Sequence, residues 1–214
     1  KALELSHQQT VSELANASIA YLANDLLRIH IGEQYSTQWH YQYRPGSWGE
    51  SCWREHYAVY TSATGTVESE SFVIDTPFAD TGGVPGSATA VLHSGNVQVT
   101  RKVVVPPGDA RYFQILYTIK NTGSGTLNDV RLFETIDFDI PWTGDHTDDY
   151  GWYDSATDYV GVKDDDYFRN GIASNIRSTR HGIEYYYTEL YNDWDDGLLN
   201  NRNSYGPGDP AIGK

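Results

Sequence analysis

Closely spaced acidic side chains in the second half of the sequence are the residues best suited to bind a cation. Calcium takes about six to eight oxygen ligands, and neighbouring Asp and Asn residues with a Gly at a tight turn can supply them. The candidate ligands are Asp145, Asp148, Asp149, Asp154, Asp193, Asp195 and Asp196. The run Asn192–Gly197 reads NDWDDG, without the spacing of an EF-hand loop or its final bidentate Glu. A calcium site and a solvated acidic loop are therefore both open interpretations.

Two charged residues share strand faces with apolar residues. Arg101 alternates with Val97, Val99, Val103 and Val105. Glu134 alternates with Val130, Leu132, Ile136 and Phe138. A charge on a core-facing position must be paired, or the strand must bulge there. We predict that each of the two charges has a partner, and the simplest hypothesis is that they pair with each other in a structural role.

Aromatic residues in loops offer a different chemistry, because their flat faces can stack on sugars. The candidates for glycan binding are Trp142, Trp152 and Trp194, and aromatic packing is the alternative for all three. Glycoside hydrolysis would need two carboxylates flanking one cleft. With 29 acidic residues in the chain, a suitable pair can always be found, so this signal discriminates poorly. The histidines lack the close spacing of zinc ligands, and no nucleophile-elbow, phosphate-loop or dinucleotide motif occurs. We therefore predict no catalytic residue and no enzymatic activity.

The elements that would position these residues are β-strands. In the stretch Arg111–Ile140, two alternating apolar runs flank a segment rich in Asn, Gly and Asp, which predicts two long strands joined as a hairpin or as a corner between two sheets. With about ten strands, the pattern predicts an all-β fold, a β-sandwich of Ig-like or jelly-roll-like type. The other predicted strands are Leu27–Ile31, Gln34–Tyr43, Trp53–Val59, Thr66–Asp75, a hairpin of Ala88–His93 with Asn96–Val105, Tyr159–Val162, Tyr167–Ile176 and His181–Leu190.

One helix is predicted near the N-terminus, over residues 10–23. Its apolar face consists of Val11, Leu14, Ala15, Ser18, Ile19 and Leu22. Thr10 with Glu13 matches a capping box. Asn16 begins a glycosylation sequon, and its helical setting argues that the match is a chance one. The predicted organisation is an arm and helix over 1–23, a β-sandwich domain over 24–190 and a loop-like acidic tail over 191–214.

The overall composition narrows the range of partners. The formal net charge is −14, which disfavours nucleic acid as a partner and favours cations. Cys52 is the sole cysteine, so an internal disulfide is impossible, and a buried thiol is the expected role. The sequence begins at Lys1 and has no Met, which we interpret as a processed, secreted chain. No apolar run is long enough to span a bilayer, so no membrane span is expected.

The run Tyr117–Asp139 resembles a strand–turn–strand motif of secreted prokaryotic β-sandwich modules. The resemblance consists of an alternating strand, then Asn121, Thr122 and Gly123, then a second alternating strand from Val130. The run is similar to the CARDB-like and DUF11-like Ig-type surface domains, and more weakly to the β-supersandwich that is found beside carbohydrate-active catalytic domains. The resemblance covers about 25 residues, supplies no catalytic residues, and implies an extracellular structural setting in an archaeon or a bacterium.

These observations predict an extracellular structural protein that self-assembles into a surface layer, sheath or filament. The sequence shows no closing strand pattern after residue 190, so strand exchange between copies is one expected mode, and calcium bridging is another. The predicted assembly residues are Leu3, Leu5, Val11, Leu14, Ile19 and Leu22. The alternative is a carbohydrate-binding or accessory module of a secreted glycan-processing enzyme.

Overall fold

The computed structural model describes the chain as a set of antiparallel β-sheets. The described residues are 19–44, 47–50, 52, 54–138, 149–163, 169–175, 178, 180–185, 198–208 and 210–214. The predicted all-β, sandwich-like fold is confirmed for this part of the chain. None of the described segments forms a helix with the length and hydropathy needed to cross a membrane.

The largest sheet, sheet A, contains nine strands drawn from the whole length of the chain. They are β1 (Ile19–Ala23), β2 (Leu27–Gly32), β3 (Tyr35–Arg44), β4 (Ser47–Glu50), β5 (Arg54–Thr61), β6 (Gly65–Glu68), β11 (Arg131–Asp137), β15 (Gly182–Tyr185) and β17 (Pro210–Gly213). The spatial order is β1-β2-β3-β5-β11-β17-β15, with β4 beside β3 and β6 beside β5.

Two four-stranded sheets complete the described fold. Sheet B has the order β10-β9-β8-β7, and its strands are β7 (Val73–Thr76), β8 (Gly86–Ser94), β9 (Val97–Val105) and β10 (Gln114–Asn121). Sheet C has the order β14-β13-β12-β16, and its strands are β12 (Asp149–Asp154), β13 (Tyr159–Lys163), β14 (Arg169–Ala173) and β16 (Ser204–Gly208). The predicted β8–β9 hairpin is confirmed, with Gly95 in the left-handed region at φ 54° in its turn.

All three sheets contribute to one continuous hydrophobic core. Buried members of the core include Leu22 and Ile31 from sheet A, Leu92 and Val99 from sheet B, and Val162 from sheet C. Alternation along β9 is complete, since every second residue from Val97 to Val105 is buried. Sheets B and C therefore both pack on sheet A, and burial of their apolar faces is the main stabilising contribution.

The predicted N-terminal helix is not observed, because residues 19–23 form strand β1. Ile19 and Leu22 pair with Gly32 and Ile29 of β2 in an antiparallel register. The sequence IAYLA fits both periods: Ala20 and Leu22 are buried with a period of two, while Ile19 and Leu22 also match a period near 3.6. Pairing with β2 decides in favour of the strand. The rest of the predicted helix lies outside the described residues.

The tail predicted as loop-like contains two strands. Strand β16 pairs with β12, and strand β17 lies between β11 and β15 in sheet A. The sequences of these strands are SYGPG and PAIG. They were not predicted, because Gly and Pro suppress the alternation that marks a strand. The chain thus supplies its own strand at this place in sheet A, which removes the reason for expecting a strand donated by another copy there.

Three further strand predictions differ in detail. The two strands at Arg111–Ile140 form a corner, because β10 belongs to sheet B and β11 to sheet A. The single strand predicted over Thr66–Asp75 is divided by a 3₁₀ turn at Ser69–Ser71 into β6 and β7. The described residues contain 17 strands rather than about ten, since strands of four or five residues are too short to show a period.

Candidate functional site

A fully buried arginine lies at the centre of the most concentrated group of ionisable side chains in the described structure. Arg101 projects from the inward face of β9 and has no solvent-exposed surface. Its Nη2 donates to Glu55 Oε1 of β5 at 2.5 Å. Its Nη1 donates to the carbonyl oxygens of Gly32 at 2.6 Å and Glu33 at 3.3 Å. The guanidinium is therefore held by one carboxylate and two backbone carbonyls.

Two tyrosines and a second glutamate extend this group. Tyr117 of β10 donates its hydroxyl hydrogen to Glu134 Oε2 of β11 at 2.5 Å. The rings of Tyr57 and Tyr117 lie 5.1 Å apart. Arg101 Cζ is 5.2 Å from the Tyr57 ring centroid and 5.9 Å from that of Tyr117, within range of a cation–π interaction. We call Glu33, Glu55, Tyr57, Arg101, Tyr117 and Glu134 the buried charge cluster.

The buried charge cluster contains three carboxyl groups and one guanidinium, so it cannot be neutral with all groups ionised. Burial, reinforced by the negative charge of Glu55, raises the pKa of Glu134 well above its ordinary value. Burial also raises the pKa of Glu33, whose Oε1 accepts a hydrogen bond from the Phe78 amide at 2.7 Å. Burial opposes the charge on Arg101, but Glu55 outweighs that effect, and the pKa of Arg101 is raised. The raised pKa favours the protonated form of Glu134, while Glu55 and Arg101 form the ion pair.

The position of the buried charge cluster limits its chemistry. Arg101, Glu55, Glu33 and Tyr57 each have 0% exposed surface, Tyr117 and Glu134 are half-buried, and the cluster lies between sheets A and B. A general acid must reach the proton acceptor on its substrate within hydrogen-bonding distance. Because four of the six members have no exposed surface, the arrangement is suited to joining the two sheets.

The hypothesis that Arg101 and Glu134 form an ion pair with each other was wrong. Arg101 pairs with Glu55, and Glu134 accepts from Tyr117 within the same cluster. Glu55 was missed although its position is visible in the sequence, because it shares the inward parity of Tyr57 and Val59 on β5. One charge in line with apolar residues, Glu55 before Tyr57 and Val59, was the signal that could have found it.

The opposite face of β5 carries a second ionic group. Arg54 Nη2 contacts Glu70 Oε1 at 2.5 Å, and Arg54 Nε contacts His56 Nε2 at 2.6 Å. Contacts with His56 and Arg54 lower the pKa of Glu70 to about 2. Burial lowers the pKa of His56, which is 1% exposed. An ionised Glu70 beside a neutral His56 is therefore the state at neutral pH.

A third group joins the last strand of sheet A to sheet C. Lys214 Nζ lies 2.9 Å from Asp158 Oδ2 and donates to Ser174 Oγ at 3.2 Å and to the Asp158 carbonyl. Asp158 also accepts from the Ser178 amide at 2.8 Å and from the Tyr153 hydroxyl at 3.1 Å. These partners, together with Lys214, outweigh burial and lower the pKa of Asp158.

The two predicted calcium ligands within the described residues do not lie together. Asp149 is fully buried at the start of β12, and Asp154 is at its end, about 17 Å further along an extended strand. Asp154 accepts from the Ala156 amide at 2.9 Å and the Thr157 hydroxyl at 2.7 Å, which closes a turn and, led by the Thr157 bond, lowers its pKa. No group of three His, Cys, Asp or Glu in the described part of the chain is arranged to hold a metal ion. The other predicted ligands, Asp145, Asp148, Asp193, Asp195 and Asp196, lie outside the described residues.

Trp152 is the one predicted glycan-binding tryptophan that the described residues include. It is half-buried in β12, and its ring centroid is 5.6 Å from that of Tyr159 on the neighbouring strand β13. The ring also lies over Gly161, where a side chain would collide with it. Trp152 therefore packs against its own sheet. Trp142 and Trp194 lie outside the described residues.

Two of the predicted assembly residues are described, and both contribute to this chain's own sheet A. Leu22 is fully buried in the core, and Ile19 is half-buried in β1. A side chain with no exposed surface, such as that of Leu22, is not accessible to a second copy. Leu3, Leu5, Val11 and Leu14 lie outside the described residues.

No protein-family model matches the chain.

Proposed function

We propose that this protein is an extracellular structural module whose copies assemble with one another into a surface layer, sheath or filament. The observation that carries the proposal is the contrast between the enclosed buried charge cluster and the open edge of strand β10 in sheet B. The ionisable residues best placed for chemistry join two sheets, whereas β10, with eight residues, is an edge strand of sheet B in the described part of the chain. An uncovered regular edge favours pairing with another chain.

Cation bridging between copies is the second part of the proposal. Copies with a formal net charge of −14 repel each other, and divalent cations bound between acidic loops would offset that repulsion. The predicted ligands outside the described residues, such as Asp193, Asp195 and Asp196, are the candidates for this role. An Ig-like module in a secreted prokaryotic protein is the setting that the resemblance at Tyr117–Asp139 favours.

Electron microscopy of the purified protein tests the proposal directly. The protein is examined over a range of concentrations with calcium, with magnesium at the same ionic strength, and with a chelator. We expect regular filaments, tubes or sheets in calcium and their loss in the chelator. Assemblies that persist in the chelator would support self-assembly and contradict cation bridging.

Monodisperse single copies under all three conditions would contradict the proposal. In that case binding to polysaccharides, measured on an array of glycans, would decide whether the carbohydrate-binding alternative applies.

A further inference from the structure

Strand β10 differs from the other edge strands of the described structure in its length, since it has eight residues where β1, β7, β14, β15 and β16 have four or five. Natural proteins protect sheet edges with short strands, bulges, prolines or covering loops. On the opposite edge of sheet B, β7 has four residues, a register shift between Ile74 and Thr76, and Pro77 directly after it. At the edge of sheet A, the Tyr21 carbonyl of β1 accepts from the Gly83 amide at 2.9 Å. The β15 edge has only four residues, and the Ile183 carbonyl accepts from Asn200 Nδ2.

The backbone groups that β10 presents to solvent follow from its register. The Thr122 amide donates to the Asn96 carbonyl at 2.9 Å, so even-numbered residues of β10 direct their backbone groups toward β9. The amides and carbonyls of Ile115, Tyr117 and Ile119 therefore point away from the sheet. The β9–β10 register runs without a shift from Gln114 to Asn121. This edge is a ready template for one more antiparallel strand.

The exposed side chains of β10 indicate what kind of strand would pair there. Leu116 is 44% exposed on the outer face of sheet B, and Tyr112, just before the strand, is 58% exposed. The charged residues between Ala110 and Asn121 are Arg111 and Lys120, and no acid occurs among them. A partner strand should therefore cover Leu116 with an apolar side chain and should not place a cation opposite either charge.

We propose that β10 pairs with β10 of a second copy in an antiparallel, two-fold symmetric arrangement with Leu116 on the axis. In this register Leu116 faces Leu116 of the second copy, Ile115 faces Tyr117, and Tyr112 faces Lys120. Outward-pointing backbone groups then meet outward-pointing groups, as an antiparallel ladder requires. The two Lys120 side chains lie eight positions apart along the strands, about 26 Å, beyond the screening length at physiological salt. The two sheets B become one continuous sheet of eight strands.

The inference rests on the proposed function, because the partner is another copy of this chain. The inference adds a specific contact between copies to the proposed function. A two-fold pair is closed, so a growing assembly would use this contact together with another one. Because each copy carries a net charge of −14, the pair should form more readily as added salt screens the repulsion.

Sedimentation of charge-swapped variants tests the contact. We expect the wild type to dimerise reversibly, and Leu116→Lys and Leu116→Glu each to weaken dimerisation by at least about tenfold, since each places like charges face to face. Mixing the two variants should restore a heterodimer. Val73→Lys is the matched control, because Val73 is 57% exposed on the other edge strand of the same sheet. Dimerisation unaffected by Leu116→Lys, or lost equally in Val73→Lys, would overturn the inference.

Cysteine crosslinking tests the register independently. Leu116→Cys should form an intermolecular disulfide under mild oxidation, whereas Thr118→Cys should not, because Thr118 faces Gln114 in the proposed register. The native Cys52 has 0% exposed surface, so the wild type provides the background. Crosslinking through Thr118→Cys but not Leu116→Cys would refute the register.

The two proposals fail in distinguishable ways. Regular assemblies in the microscope that persist in Leu116→Lys would refute the β10 contact and leave self-assembly standing. A wild type that stays monomeric in sedimentation and forms no assemblies would refute both, and would leave the β10 edge to a different chain.

Discussion

The buried charge cluster shows how single residues of opposite character are accommodated in one apolar core. Arg101 is fully buried, yet one carboxylate, two carbonyls and two aromatic faces surround its guanidinium. Removing one member of such a pair typically costs about 3–5 kcal/mol, because the other charge is left buried without compensation. The raised pKa of Glu134 favours its neutral form, which limits the uncompensated charge in the core. The stability of the protein is therefore expected to depend on the proton of Glu134.

The pH dependence of stability follows from that proton. The pKa of Glu134 in the folded state is raised above its unfolded value, so the folded state binds the proton more tightly than the unfolded state. The free energy of unfolding should fall as pH rises above about 4.5, by up to about 1.4 kcal/mol per pH unit. Glu134→Gln keeps an acceptor for Tyr117 without the titration, so it should flatten this slope. Chemical denaturation from pH 5 to pH 9 measures it.

The exposed Asp109 provides the control for the loss of one carboxylate, because Asp109→Asn makes the same kind of substitution outside the core. Equal slopes for the wild type and Glu134→Gln would contradict the assignment of the buried proton.

At the scale of the elements, one side chain joins two turns from different sheets. Asn24, between β1 and β2, accepts from the amides of Leu26 and Leu27 at 2.8 and 2.7 Å through Oδ1. Its Nδ2 donates to the carbonyls of Pro106 at 2.9 Å and Ala110 at 3.0 Å, between β9 and β10. The side chain thus shapes its own turn and fixes that turn against the connection leading into β10.

Replacing this side chain should loosen the contact between the two turns. Asn24→Ala removes four hydrogen bonds at a half-buried site, and we expect a loss of about 1–3 kcal/mol in the free energy of unfolding. Amide hydrogen exchange should rise first at Leu26 and Leu27. Asn128→Ala, at an exposed position, should change stability by less than about 0.5 kcal/mol. An Asn24→Ala protein as stable as the Asn128→Ala control would show that the four bonds contribute nothing net.

At the scale of the whole molecule, β17 connects parts of the chain that are far apart in sequence. Ile212 of β17 pairs with Ile136 of β11 on one side and with Ile183 of β15 on the other. Lys214 then joins β17 to sheet C through Asp158. The last few residues described therefore join β11 to the edge strand β15 and connect sheet A to sheet C, so the sheets should unfold together.

A truncation in this strand tests that cooperativity. Ile212 is fully buried, so Ile212→Ala should lower the free energy of unfolding by about 2–5 kcal/mol. Leu198→Ala is the control, because Leu198 is 41% exposed. Tyrosine fluorescence and far-ultraviolet circular dichroism should report the same transition. Two separate transitions in Ile212→Ala, or a loss below about 1 kcal/mol, would show that β17 is a peripheral strand.

The longest strands and the class of fold were predictable from the sequence because their causes are local. Strands β9 and β10 are long enough for the alternation of buried and exposed residues to be read directly, and the turn at Gly95 is visible as Ser-Gly-Asn. The presence of Arg101 and Glu134 on core faces was visible for the same reason. In residues 19–23, by contrast, the local pattern fits a helix and a strand equally, so it could not decide between them.

Only the tertiary structure decided which distant residues meet. The pairing of Arg101 with Glu55 depends on β9 and β5 lying in facing sheets, and the placement of β17 between β11 and β15 depends on pairing over more than seventy residues of sequence. Neither relation has a periodic signature, since Gly and Pro in the last strands leave almost no apolar alternation. The sequence alone determined an acidic, strand-rich chain with charges inside its core. Long-range packing determined that Arg101 pairs with Glu55 and that β10 is an edge strand in the described part of the fold.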